Sequence, residues 1–190
     1  MREIWGIGTP RSFRPIWVCE ELGLEYRHHA IGPRTGETQK PEFTTLNSKQ
    51  KIPFYRDERV SLSESVAICR YLAHNFSTGQ LAIPDTAEAF AKEDEWSAYI
   101  YGEIDETGLY VMRRHGDLGA IYGESPEVSA AAASYVSRHF EVIAEGLSDE
   151  STLMPYGFGL ADVLLMSCLD WAIAYGLSLI HISEPTRHHV

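Results

Sequence analysis

Hydrophobic and polar positions follow two periods along this chain. Near the N-terminus the runs are short and strand-like. Ile4 to Ile7 reads as a strand, broken by Gly8-Thr9-Pro10. From about Ser12 to Leu22 the apolar residues take helical spacing: Phe13 with Trp17, and Val18 with Leu22, stand four apart. Gly23 occupies the position that closes such a helix. Glu25 to Ile31 reads as a second strand. Gly32 to Lys40, with Pro33, Gly36 and Thr38, reads as a loop, and a short helical piece is expected around Pro41 to Leu46. Pro53 to Asp57 then starts a hairpin, since proline at a strand's first position removes no interior ladder donor. Asp57, Glu58 and Arg59 suit its turn, and Val60 and Leu62 alternate with Ser61 in the return strand. Ser63 is expected to cap a helix whose apolar face includes Val66, Ile68 and Leu72.

The second half changes period. Asn75 to Asp85 reads as a connector, with Asp85 and Glu88 spaced as a capping box. A long helix is expected to about Arg113, with Phe90, Trp96, Ile100, Ile104 and Val111 as apolar landmarks. Gly102 and Gly108 inside it predict a kink or a close contact. The acidic run Glu93, Asp94, Glu95 reads as a solvated face. His115 to Glu124 reads as a loop. Ser125-Pro126 supplies a cap and a first-turn proline for a helix running to about Glu145 and stopping at Gly146, with Ala130 to Ala133 permitting close packing. Leu160 to Tyr175 is apolar almost all round, so a buried helix is expected. The order predicts a small α/β layer with a mixed sheet, followed by an all-helical part.

Composition narrows the partners. The 190 residues hold 44% hydrophobic and 23% charged residues, as a globular protein does, with a net charge of −11. Nucleic acid and anionic membrane need a basic footprint, so neither is expected as a partner. No run of about 18 apolar residues occurs, and Met1-Arg2-Glu3-Ile4-Trp5 does not read as a signal peptide; a cytoplasmic protein is expected. Cys19, Cys69 and Cys168 are far apart in apolar, helical surroundings. They read as buried thiols rather than a disulfide or zinc framework, and no metal is expected. His28 and His29 point to opposite faces of a strand and read as structural.

Two stretches offer chemistry. Gly8-Thr9-Pro10-Arg11-Ser12-Phe13-Arg14 runs from a strand end into a helix start, where free N–H groups favour an anion. In Lys51-Ile52-Pro53, a cis bond before Pro53 would turn the main chain of Ile52 outward, toward an extended peptide. Ser65 would stand at a helix N-terminus suited to a carboxylate, provided its side chain faces outward. Without a ligand, the same residues are a plain hairpin and ordinary helix caps.

Lys51-Ile52-Pro53, Leu62-Ser63-Glu64-Ser65 and Ala67-Ile68 resemble the glutathione-binding core of the glutathione S-transferase family. Glu20-Glu21-Leu22-Gly23-Leu24 is similar to that family's first-helix ending, and Lys40-Pro41-Glu42-Phe43 with Leu46-Asn47 to its second-helix region. The resemblance implies a thioredoxin-like α/β N-terminal domain over residues 1–76, an all-α C-terminal domain over 85–176, and usually a homodimer. It implies that Pro53 is cis, that Ile52 pairs through its backbone with the cysteinyl part of glutathione, that Glu64 and Ser65 hold the γ-glutamyl end, and that Lys51 reaches the glycyl carboxylate. Ser48 and Gln50 stand where the family often has Pro and Gly. A free thiol near pKa 8.5 is about 97% protonated at neutral pH, so a hydroxyl aimed at sulfur would favour the thiolate. Thr9 and Ser12 are the two hydroxyls at the junction; Thr9 is preferred for that role with Ser12 the alternative, and simple helix capping is the plain reading of either. Trp5 stands in a first strand without tyrosine, and the junction holds no cysteine, so tyrosine-type and cysteine-type sites do not fit.

In that family the second substrate lies beside the first long helix, which makes Tyr99, Tyr110, Arg113 and Arg114 candidates for a small hydrophobic electrophile. The family also caps its buried helix with Ser or Thr and then Asp. Asp162 matches, Gly159 does not, and the role is folding. The implied activity is glutathione conjugation. The same site would serve isomerisation, dehalogenation or ether cleavage, or a non-catalytic binding or regulatory protein. Finally, Leu177-Ser178-Leu179-Ile180-His181-Ile182-Ser183-Glu184-Pro185-Thr186-Arg187 resembles a translated sequencing adapter. Residues 177–190 are therefore expected to be non-native, with native sequence ending near Gly176 and terminal helices missing.

Overall fold

The computed structural model describes residues 1–76, 81–147 and 151–177. Apart from Leu177, the adapter-like stretch lies outside the described residues. The chain divides into two compact units, Met1–Ile83 and Pro84–Val190.

The first unit is a four-stranded mixed sheet in the order β2-β1-β3-β4. Its strands are β1 (Glu3–Trp5), β2 (Arg27–His29), β3 (Phe54–Arg56) and β4 (Ser61–Ser63); the first three are shorter than expected, and β4 has the expected length, shifted by one residue. β1 and β2 are parallel, joined by the crossover helix α1 (Pro10–Glu21); β1–β3 and β3–β4 are antiparallel. Register separates the two faces. Ile4 pairs with Tyr55, both fully buried on the face that packs against α1 and α3 (Ser65–Phe76). Trp5 pairs with Phe54 on the other face, where Phe43 of the short α2 (Pro41–Thr44) completes an apolar cluster with Ile31, Leu46 and Ile52. Gly23, at φ 62, ends α1 in the left-handed region that glycine adopts without cost, as the sequence predicts.

Ser63 does not cap α3. It is the last residue of β4, and Glu64 intervenes at φ 76 before the helix begins at Ser65. Both histidines are structural: His28 Nε2 lies 2.9 Å from Gly6 O, while His29 stacks on Trp5 at 4.3 Å and meets Glu3 at 3.0 Å.

The second unit is helical. α4 (Ala87–Tyr99) continues into a π-helical stretch, Ile100–Leu109, and then α5 (Tyr110–His115). The expected long helix is thus one run with a widened middle. Its cap is Thr86, whose hydroxyl accepts from Ala89 N at 3.1 Å, and not Asp85. Glu93 is not solvated: it is 2% exposed, because three consecutive helical residues fan over three faces and Glu93 takes the inward one. Gly108 sits against α7 (Pro126–Gly146) so tightly that a Cβ there would overlap the Val136 side chain. Gly102 has open space.

The expected loop from His115 to Glu124 contains one helical turn, α6 (Gly119–Tyr122). Ser125 caps α7 as expected, and Ala132, Val136, Phe140 and Ile143 form its buried stripe. α8 (Leu160–Ala174) is buried over most of its circumference. Asp162 accepts from Gly159 N at 2.9 Å and Leu153 N at 2.8 Å, so it ties the preceding loop to the helix start. Among the described residues no helix is long and apolar enough to cross a membrane, and no His, Cys, Asp and Glu group has metal-binding geometry.

Candidate active site

Three segments of the first unit meet at one end of the sheet. The first is the turn from β1 into α1. Thr9 is extended (φ −138, ψ 149) and caps the helix, its Oγ1 accepting from Ser12 N at 3.0 Å. The Thr9 and Ser12 hydroxyls lie 2.8 Å apart. Ser12 is 1% exposed, while Thr9 is half-buried, so the pair runs from the interior to the surface. Both expected hydroxyls are therefore together, joined to each other.

The second segment is the loop before β3. The Ile52-Pro53 bond is cis. The ladder with β1 ends at Phe54, which leaves Ile52 beyond the paired residues. Asn47, 6% exposed, shapes the approach: its Nδ2 donates to Lys51 O at 2.8 Å and its Oδ1 accepts from Lys49 N at 3.2 Å. Gly6 joins this segment to the first. A Cβ on Gly6 would lie 2.9 Å from Ser12 Oγ and 3.0 Å from Ile52 Cβ, and its φ of 130 also excludes other residues. Sequence reasoning missed Gly6 and Asn47; a lone glycine after a strand and a lone polar residue in a loop carry no spacing signal.

The third segment is the turn from β4 into α3. The left-handed backbone of Glu64 sends its exposed carboxylate outward, to Lys49 Nζ at 2.9 Å. Lys49 also donates to Ser63 Oγ at 2.9 Å. Lys51 is exposed. Ser65 departs from expectation: it is 3% exposed, and its Oγ is turned inward to accept from Arg14 Nη1 at 3.4 Å. The cause is Arg14 of α1, which is wholly buried and so must find acceptors inside the protein. The first bond of the turn is Ile68 N to Glu64 O at 3.0 Å, so the N–H groups of Ser65, Val66 and Ala67 have no partner within the helix.

The hairpin between the second and third segments is pinned by Asp57. Its Oδ1 accepts from Arg59 N and Val60 N, at 2.8 and 2.9 Å. Its Oδ2 accepts from the Tyr55 and Tyr71 hydroxyls, both at 2.8 Å. Burial acts to raise the Asp57 pKa, but these four donors outweigh it and hold the carboxyl at about 2. Burial and the same carboxylate push both tyrosines up. The three cysteines are free and buried, and burial raises the Cys19 thiol to about 12.

The candidates for a second substrate lie in the other unit. Tyr99 donates to or accepts from His139 Nδ1 of α7 at 2.7 Å, and Arg114 stacks over the Tyr122 ring at 4.6 Å. Arg113 stands in the last turn of α5 and Tyr110 at its start.

Residues 3–74 match the family model for the glutathione S-transferase N-terminal domain. The chain is 27% identical over 167 residues to glutathione S-transferase theta-1 of Rattus norvegicus, covering 86% of this chain and 70% of the relative. It is 36% identical over 89 residues to glutathione S-transferase 3 of Zea mays, covering 46% and 40%. In fold it is similar to a theta class glutathione S-transferase of Xanthomonas axonopodis pv. citri, solved with glutathione bound (TM-score 0.80, 21% identity, 97% and 89% covered). It is also similar to the glutathione transferase URE2P6 of Phanerochaete chrysosporium, solved with oxidized glutathione (TM-score 0.84, 18% identity, 97% and 88% covered). Residues 3–74 thus match a glutathione S-transferase N-terminal domain, and the chain is similar to glutathione S-transferases in sequence over most of its length and in fold.

Proposed function

We propose that this protein is a glutathione transferase, which binds glutathione on the first unit and adds its sulfur to a small hydrophobic electrophile. The observation that carries the reading is the convergence at Gly6, with Ser12 on one side and Ile52 on the other. That places a hydroxyl pair and an unpaired stretch of main chain within reach of one small peptide. Ile52, made accessible beside Pro53, pairs with the cysteinyl backbone. The γ-glutamyl carboxylate takes the free N–H groups at the start of α3, where the helix dipole favours it. Glu64 takes the ammonium now mimicked by Lys49, and Lys51 takes the glycyl carboxylate.

The two hydroxyls then act in series. Buried Ser12 donates to Thr9 Oγ1, which leaves the Thr9 hydrogen free to point at sulfur. A donor aimed at the charged form lowers the thiol pKa, so more of the bound glutathione is thiolate at neutral pH. The thiolate attacks the electrophilic carbon, the leaving group departs with its electron pair, and a thioether remains. Tyr99, Tyr110, Arg113 and Arg114 remain the candidates for the electrophile; Tyr99 lies against His139 and Arg114 over the Tyr122 ring. The working form is a homodimer, as the family resemblance implies, and three buried free thiols support a reducing, cytoplasmic setting.

Retention on immobilised glutathione with elution by free glutathione, followed by conjugation of a halodinitrobenzene, tests this. Retention with turnover is the expected result. Retention without turnover across an electrophile panel would favour a binding protein, and absence of retention would overturn the reading. Light scattering checks the dimer.

A further inference from the structure

Arg14 is the only charged side chain of the first unit that is fully buried among the described residues. Taking a guanidinium out of water costs several kcal/mol before compensation, so its position calls for a physical reason. It lies two residues after Ser12 on α1, and its Nη1 donates to Ser65 Oγ, the first side chain of α3, at 3.4 Å. α1 and α3 are also packed against each other along the same face of the sheet. The two helix starts are proposed to meet two of the ligand's negative groups, sulfur at α1 and the γ-glutamyl carboxylate at α3; the third, the glycyl carboxylate, falls to Lys51.

We propose that Arg14 is a positioning residue that fixes the spacing of these two anion sites, acting through the Ser65 hydroxyl. The inference rests on the glutathione reading above. Arg14 touches no part of the ligand; its guanidinium holds the first turn of α3 against α1. The N–H groups of Ser65, Val66 and Ala67 then stay at the distance from Thr9 that one glutathione molecule spans. Without that brace the α3 turn keeps its helix but loses its registration against the α1 start. A ligand that must engage both ends loses affinity, because its two contacts no longer fit at once. The chemistry at sulfur, set by Thr9 and Ser12, is affected less.

The test is a cycle of Arg14→Met, Arg14→Lys, Ser65→Ala and the Arg14→Met/Ser65→Ala double variant, with glutathione affinity, KM and kcat measured for each. Arg14→Met is expected to raise Kd and KM for glutathione about tenfold, with kcat at saturation changed less than threefold. Arg14→Lys keeps the charge and part of the reach, so its loss falls in between; it carries the test if Arg14→Met does not fold. The double variant is expected to be no weaker than Arg14→Met alone, since the Ser65 contact is already lost with the guanidinium. Additive losses in the double variant, or equal losses in KM and kcat, would overturn the positioning role and leave the glutathione reading standing. Failure of the unaltered protein to bind glutathione would overturn both.

Discussion

Replacing Asp57 with asparagine tests how the hairpin that spans the candidate site is held. Asparagine keeps the Oδ1 acceptor for the Arg59 and Val60 N–H groups, but it puts an amide where two tyrosine hydroxyls now donate. Tyr55 is fully buried, so its hydroxyl cannot turn to water. Losing hydrogen bonds to a charged acceptor costs about 1.5–3 kcal/mol, with part of it recovered if one hydroxyl reverses. Linkage gives an independent figure. A folded pKa of about 2 against an ordinary 3.8 is a gap of almost two units, at about 1.4 kcal/mol each. Asp57 is only half-buried, so solvent screening brings this down to about 1–2 kcal/mol. The sign follows from the direction of the shift. A depressed carboxyl contributes its full stability above the unfolded pKa and loses it as pH falls from about 4 toward 2. Asp57→Asn is thus expected to cost about 2 kcal/mol at pH 7 by urea denaturation followed by circular dichroism, with the gap to the unaltered protein narrowing at pH 3. A gap that stays constant from pH 7 to pH 3, or a cost at pH 7 below about 0.5 kcal/mol, would refute the four-donor account.

Thr9→Val is expected to raise the apparent thiol pKa in the pH profile of kcat/KM. Each unit lowers activity about tenfold below the pKa, and the variant converges on the unaltered protein at high pH; Ser12→Ala has a smaller effect in the same direction. Gly108→Ala is expected to cost about 1–3 kcal/mol, read as a lower Tm, because its methyl group overlaps Val136; a Val136→Ala background should recover part of the loss. Thiol titration at pH 8 should find no fast-reacting cysteine in the folded protein and three in denaturant, since Cys19, Cys69 and Cys168 are all buried.

Local sequence determined much of this protein. The helix ending at Leu22-Gly23, the Ser125-Pro126 start of α7, the all-round apolar α8 and the succession of strands and helices in the first unit are each written in neighbouring residues. Caps, turn residues and hydrophobic period act within a few positions of themselves. The residues proposed to bear chemistry could be singled out because Lys51-Ile52-Pro53 and Leu62-Ser63-Glu64-Ser65 are contiguous runs. Tertiary structure alone decided what those residues face. Nothing beside Arg14 in sequence marks it as buried; α3 packed against α1 takes its guanidinium into the core, with the Ser65 hydroxyl turned inward to meet it. Glu93 reads as solvated until its helix shows which of three faces is inward. Gly6 is an ordinary glycine until Ser12 and Ile52 arrive on either side. Thr86 takes the cap from Asp85, and residues 100–109, where Gly102 and Gly108 predict an irregularity, widen into a π-helix whose form local sequence does not specify. The difference is physical: a period fixes how a segment is wound, while burial of a particular side chain depends on which distant segment packs against it.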